Sequence, residues 1–240
     1  MPQIPSASSA QLFAELVVQL HNAPGLEETV ETVAQFALRA AGCTSAGVIL
    51  AGPVVGAVTD PVVQKLFERE VDAGAGPTLD ALAGGHTVYL PDTGAATDWP
   101  RWRTEAVSCD VGSALYVPMV ARSRIEGVLS LYHLETEAFS DADAEPIAHI
   151  LARHASIAVA GNLRTESLDR AVDARKLVGL AMGILMERFT IDGDQAFALL
   201  RRYSQQSGTK LRDVAQQVID TRGSMSPSVQ AMSDKDDAGE

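Results

Sequence analysis

Residues 113–134 read SALYVPMVARSRIEGVLSLYHL. Two apolar, β-branched runs, Ser113–Val120 and Gly127–Leu134, flank a polar stretch, Ala121–Glu126, which contains three charged side chains. Runs of this length around a polar connection predict a β-hairpin. The rest of the fold is read outward from it.

Toward the N-terminus, Thr87–Leu90, Val54–Thr59 and Ser45–Leu50 are short apolar runs bounded by Gly, Pro and Asp, and read as further strands. Helical spacing marks Ala10–Leu20, through Leu12, Phe13, Leu16, Val17 and Leu20. It also marks Leu26–Ala41, through Val30, Val33, Ala34, Ala37 and Leu38. Pro24-Gly25 separates the two helices. Shorter helices are expected over Asp60–Val71 and Thr78–Ala83, with Asp98–Ala106 as a surface segment carrying both tryptophans. Beyond the hairpin, Ser140 with Asp143 three residues on suggests a cap. An apolar helix is expected from about Asp141 through Asn162. Helices, then strands with inserted helices, then a closing helix is an α+β pattern: an antiparallel sheet flanked by helices.

The same stretches resemble a GAF domain. The resemblance rests on Ala46-Gly47-Val48-Ile49, on Gly76-Pro77-Thr78-Leu79-Asp80-Ala81-Leu82, on the hairpin with Gly127-Val128-Leu129, and on Phe139-Ser140-Asp141. It covers residues 10–160 and implies a sensor that holds an unidentified small-molecule ligand over its sheet, or that dimerises.

Charge divides the chain. The 240 residues carry a net charge of −12, yet Leu168–Gly223 holds nine Lys/Arg against seven Asp/Glu and the remainder ten against twenty-four. An acidic body with a mildly basic end predicts two domains with different tasks. From Leu168 the pattern is helical throughout. Leu177, Leu180, Ala181, Ile184 and Leu185 form one stripe, with Gly183 among them suggesting a close helix crossing. Asp192 and Gln195 fit a capping box, and Ala196, Phe197, Leu200 and Tyr203 an inward face. Gly208 is a stop, and Thr209 is placed to cap a helix with Leu211, Val214, Ala215 and Val218. Residues 174–223 thus read as a three-helix bundle, joined to the sensor by a connecting helix over 161–173. Within Ile157–Lys176, the positions Leu163, Leu168 and Val172 do not make a clean heptad. The ends, 1–9 and 224–240, are Ser-rich with Pro or Asp and are expected to be disordered.

Three blocks, Gly179–Arg188, Gln195–Gln205 and Lys210–Ala215, resemble in order and spacing the ANTAR family. That resemblance implies an RNA-binding module for transcription antitermination, a homodimer, and paired hairpins in nascent transcripts as its partner. Arg188, Arg201, Arg202, Lys210 and Arg212 supply cations for phosphates. Ser204, Gln205 and Thr209 supply neutral hydrogen bonds. Any one such cation alone reads as solvated surface, and the spacing of Tyr203 with Phe197 and Leu200 favours core packing over base stacking. Many family members carry lysine where this chain has Met182, so a phosphate contact from that position is missing. Two other readings compete: a DNA-binding transcription factor, since short basic helices imitate a helix-turn-helix, and a dimeric signalling scaffold that binds no nucleic acid. Asp213 and Asp220 on the last helix count against DNA.

Catalysis finds little footing, and the chain reads as non-enzymatic. Gly74-Ala75-Gly76 lacks the Lys-Ser/Thr of a phosphate loop, and Asp141 and Asp143 lack the glycine and closing glutamate of a calcium loop. His149 and His154 stand five apart and do not share a helix face as metal ligands would. The two cysteines, Cys43 and Cys109, match no metal or redox spacing and are too few for the thiol chemistry of GAF-type methionine sulfoxide reductases. No attachment motif for haem or a bilin is present. With no run of about 18 apolar residues and no signal peptide in Met1–Ser9, a cytoplasmic protein without a membrane partner is expected.

Overall fold

The computed structural model describes residues 7–140 and 143–221. The expectations for residues 1–6 and 224–240 lie outside them, while Ala7–Ser9, expected to be loose, are helical. The chain divides into two compact units, residues 1–164 and 165–240.

The first unit is built on one antiparallel five-stranded sheet in the order β2-β1-β5-β4-β3. The strands are β1 (Ser45–Leu50), β2 (Val54–Val58), β3 (Val88–Leu90), β4 (Ser113–Ala121) and β5 (Arg124–His133). The central hairpin is tighter than the polar stretch suggested. Pairing runs to Ala121 opposite Arg124, leaving a two-residue turn at Arg122 and Ser123 with φ of 49° and 66°. Positive φ at both central positions matches the right-handed strand twist, so polar residues tolerate it there. Leu134 falls outside the strand. β3 pairs with β4 only over Ala114–Tyr116, so that edge of β4 is unpaired at Pro118, which has no N–H to offer.

Side chains alternate between the faces of the sheet. One face carries Val48, Leu115, Val117, Met119, Leu129 and Leu131. It packs against α1 (Ala7–Asn22), α2 (Leu26–Ala40) and the first part of α6 (Ala144–Phe189) through Leu16, Phe36, Ala37, Leu151 and Ala155. The other face carries Ala114, Tyr116, Val128 and Tyr132. It packs against α3 (Pro61–Ala73), α4 (Pro77–Gly84) and α5 (Pro100–Ser108) through Val63, Leu66, Ala81, Trp102 and Ala106.

Asp98–Ala106 is therefore not a surface segment. Pro100 starts α5, and Trp102 is fully buried in edge-on contact with Tyr116 at 6.3 Å. Polar flanks concealed an inward aromatic. Ser140 does not cap the closing helix. Its hydroxyl lies 2.8 Å from the Tyr89 hydroxyl, and the helix begins at Ala144, with the Asp143 carbonyl accepting from Ile147.

The helical stretches read separately after Asp141 are one 46-residue helix, α6. In the second unit, the end of α6 packs against α7 (Gly193–Ser207) and α8 (Leu211–Asp220) around Ala181, Leu185, Ala196, Leu200, Val214, Ala215 and Val218. Asp192 closes a capping box: its carboxylate accepts from the Gln195 N–H at 2.8 Å, and Gln195 Oε1 accepts from the Asp192 N–H at 3.0 Å. Gly208, at φ 66°, ends α7 in the left-handed region that glycine favours. Four expectations fail here. Thr209 does not cap α8; Lys210 holds that position, without a side-chain bond. Leu180 and Phe197 point outward, 61% and 41% exposed, because the end of α6 and two short helices enclose too narrow a core for a full apolar stripe. A Cβ built on Gly183 would meet nothing within 4 Å, so among the described residues no other helix crosses closely there.

Candidate functional site

The predicted cations of the second unit emerge from the bundle by helical geometry. The α7 core is Ala196 and Leu200, so Arg201 follows onto the exposed side while Arg202 is half-buried. Arg188 lies in the last turn of α6, with its guanidinium 5.9 Å from the Phe189 ring centre. Lys210 and Arg212 open α8 and are exposed. Arg212 Nε donates to Asp213 Oδ1 at 2.9 Å, so the adjacent carboxylate already engages part of its fork.

The neutral candidates divide by role. The Ser204 hydroxyl donates to the Thr209 carbonyl at 2.7 Å and ties the end of α7 to the turn before α8. The Thr209 N–H donates to Ser207 Oγ at 3.3 Å. Ser204 thus spends its proton internally, whereas Gln205 is exposed and open to solvent. Tyr203 is half-buried against the bundle core, and so is Met182. The bundle therefore brings Arg201, Gln205, Lys210 and Arg212 to exposed positions on α7, the turn and α8.

A second polar centre lies in the first unit and was not anticipated from sequence. Glu70 on α3 is fully buried. Its carboxylate accepts from Thr78 N at 2.8 Å, Thr78 Oγ1 at 2.9 Å and Leu79 N at 3.2 Å, capping the first turn of α4. Burial outweighs these bonds and pushes its pKa up to about 8. A Cβ on Gly76 would stand 2.2 Å from Glu70 Cγ, so glycine there makes room for the clasp. Tyr116 and Tyr132 stand edge-on at 5.7 Å beside it, fully buried, and burial raises both phenol pKa values. Nothing in the local sequence signals this arrangement, because Glu70 occurs among charged neighbours that are solvent-facing.

The thiols are separated by the sheet. Cys43 is buried on the α1–α2 face, its pKa pushed up to about 12 by desolvation, and its Sγ donates to the Ala37 carbonyl at 3.5 Å. Cys109 packs on the opposite face, 3.7 Å from Lys65 Nζ. His149 lies 3.2 Å from Thr87 Oγ1 and 3.5 Å from Glu145, and His133 Nδ1 accepts from the Glu135 N–H at 2.9 Å. Among the described residues no three His, Cys, Asp or Glu side chains gather as metal ligands, and no helix is long and apolar enough to cross a membrane.

Comparison with protein families decides what these two units are. The GAF domain profile matches residues 23–160, more than half of the chain, and the ANTAR domain profile matches residues 166–219. The chain belongs to the GAF family and carries an ANTAR domain.

Solved structures agree on the fold of the GAF part. The GAF domain of Acinetobacter phosphoenolpyruvate-protein phosphotransferase is similar at 13% identity and TM-score 0.50, over 68% of this chain and 99% of that one. The free methionine-R-sulfoxide reductase of Neisseria meningitidis is similar at 18% identity and TM-score 0.52, over 69% and 98%. The Stigmatella aurantiaca phytochrome photosensory core is similar at 15% and 0.56, over 86% of this chain and 46% of that one. At such identities the likeness is one of fold. No curated protein matches the chain.

In the GAF domain the buried Glu70 centre lies on the sheet face covered by α3, α4 and α5. In the ANTAR domain the matched region spans the end of α6, α7 and most of α8, and includes Arg188, Arg201, Arg202, Lys210 and Arg212.

Proposed function

We propose that this GAF–ANTAR protein is a cytoplasmic, homodimeric, non-enzymatic regulator that binds paired hairpins in nascent transcripts and so favours antitermination. The observation that carries the reading is the ANTAR match over residues 166–219, with Arg201, Lys210 and Arg212 exposed on the helical bundle within it. Guanidinium groups grip phosphate bidentately and stack on exposed bases, which suits structured RNA with unpaired loops. Arg188, Arg202, Ser204, Gln205 and Thr209 complete the proposed contact set. Ser204 and Thr209 act by shaping the α7–α8 turn. The acidic GAF domain repels RNA and confines binding to the basic end. A small molecule or other signal acting on the GAF domain regulates binding, with α6 providing covalent continuity to the ANTAR domain.

The test is fluorescence anisotropy of the full chain with a tandem-hairpin RNA, a scrambled RNA and duplex DNA across a salt series. Preference for the hairpins is expected. Arg201→Ala/Arg202→Ala should weaken binding and flatten the log–log salt slope by about 1–2. Equal affinity for all three nucleic acids, or preference for the duplex, would sink the RNA reading.

A further inference from the structure

Among the described residues, the surface of the GAF domain carries two unpartnered faces that complement each other. The first is a groove of about 500 Å³ between the tip of the β4–β5 hairpin and α6. Val120, Ile157, Ala160 and Gly161 form its apolar floor, and Arg122, Arg153 and Arg164 stand around it. The Ser156 hydroxyl donates to the Val120 carbonyl at 3.0 Å and pins the hairpin to the helix, so the groove is part of the fold. Ile157 is 62% exposed, although it sits among buried neighbours on a helix.

The charge here is anomalous. The protein is strongly acidic, yet none of these three arginines forms an ion pair with any described residue. Elsewhere in the same domain, Lys65 and Arg69 both hold Glu105. Three guanidinium groups lining one apolar groove repel one another and call for an anionic, partly apolar counterpart.

Such a counterpart exists on the same domain. Helix α1 buries Leu16 and Leu20 on one side but exposes Ala14, Val17 and Val18 on the other, with Val18 58% exposed. A helix that is apolar on both sides needs cover on both. Glu15 lies beside that outer face, and Glu27, Glu28 and Glu31 are exposed on the following helix. No described cation pairs with any of the four.

We infer that a second copy of this chain covers the groove, with the outer face of its α1 seated on Val120 and Ile157 and Glu15 set against Arg153 and Arg164. Two-fold symmetry then makes the contact twice, since each copy offers both faces. This rests on the homodimer reading above and adds the surfaces and the charge pairing.

Charge reversal in the full chain tests it, because the reversed groups are exposed and leave the core intact. Circular dichroism melts verify that each variant folds. Sedimentation at low salt should show a dimer. Arg153→Glu/Arg164→Glu and Glu15→Arg should each raise the dimer Kd by at least about tenfold, since each sets like charges together at both contacts. Mixed together, the two variants should recombine into a heterodimer, in which one contact is native and the other carries the reversed pair. A monomer at every concentration, variants that dimerise as tightly as the parent, or variants that dissociate and fail to recombine would each overturn the assignment. The RNA anisotropy is read separately: a monomer that still selects hairpin RNA would remove this interface and leave RNA recognition standing.

Discussion

Glu70 and Thr78 clasp each other across the α3–α4 turn, the threonine donating its backbone N–H to one carboxylate oxygen at 2.8 Å and its hydroxyl to the other at 2.9 Å. Desolvation nonetheless raises the Glu70 pKa from 4.5 to about 8. Between these values the folded chain holds a proton that the unfolded chain has released, so stability falls as pH rises through this window and levels off above it. The expected loss between pH 5 and pH 8.5 is on the order of a few kcal/mol. Glu70→Gln retains a neutral side chain of the same shape and should remove this fall. Melting curves across a pH series provide the check, and parallel profiles for parent and variant would refute the assignment.

Tyr116 and Trp102 make a second case. Both are fully buried, and neither Tyr116 Oη nor Trp102 Nε1 has a well-formed hydrogen-bond partner among the described residues, the adjacent Tyr132 phenol offering Tyr116 at most a weak one. Deleting such a buried hydroxyl removes a polar group without losing a well-formed bond. Tyr116→Phe is therefore expected to be neutral or to stabilise by up to about 1 kcal/mol. Trp102→Ala, which empties the centre of the same cluster, should cost about 3–5 kcal/mol. Urea denaturation measures both. A clear destabilisation by Tyr116→Phe would mean that the hydroxyl does bond in solution.

The Asp192–Gln195 capping box is the clearest local device in the ANTAR domain. Asp192→Ala should cost about 1 kcal/mol. The loss should appear as faster amide hydrogen exchange in α7 and α8, with the GAF sheet unchanged. Unchanged exchange in α7 would show that tertiary packing, and not the cap, fixes where that helix starts.

What the sequence alone determined was local. The two apolar runs within residues 113–134 and the polar stretch between them specified the central hairpin, Asp192 with Gln195 specified the start of α7, and Gly208 its end, because each depends on a few neighbouring residues. The two domains were legible for a related reason: their motif blocks and their opposite charge balance lie in contiguous stretches. Tertiary structure decided whatever depends on residues far apart in the chain. Trp102 is buried because Tyr116 and α3 enclose it, although its own neighbours are polar. Leu180 and Phe197 are exposed because the bundle is too narrow to use them. Glu70 becomes a buried acid only where α4 starts against it. Arg122, Arg153 and Arg164 share one groove because a hairpin tip and a helix some thirty residues later meet in space, and helical or strand periodicity carries no information about such meetings.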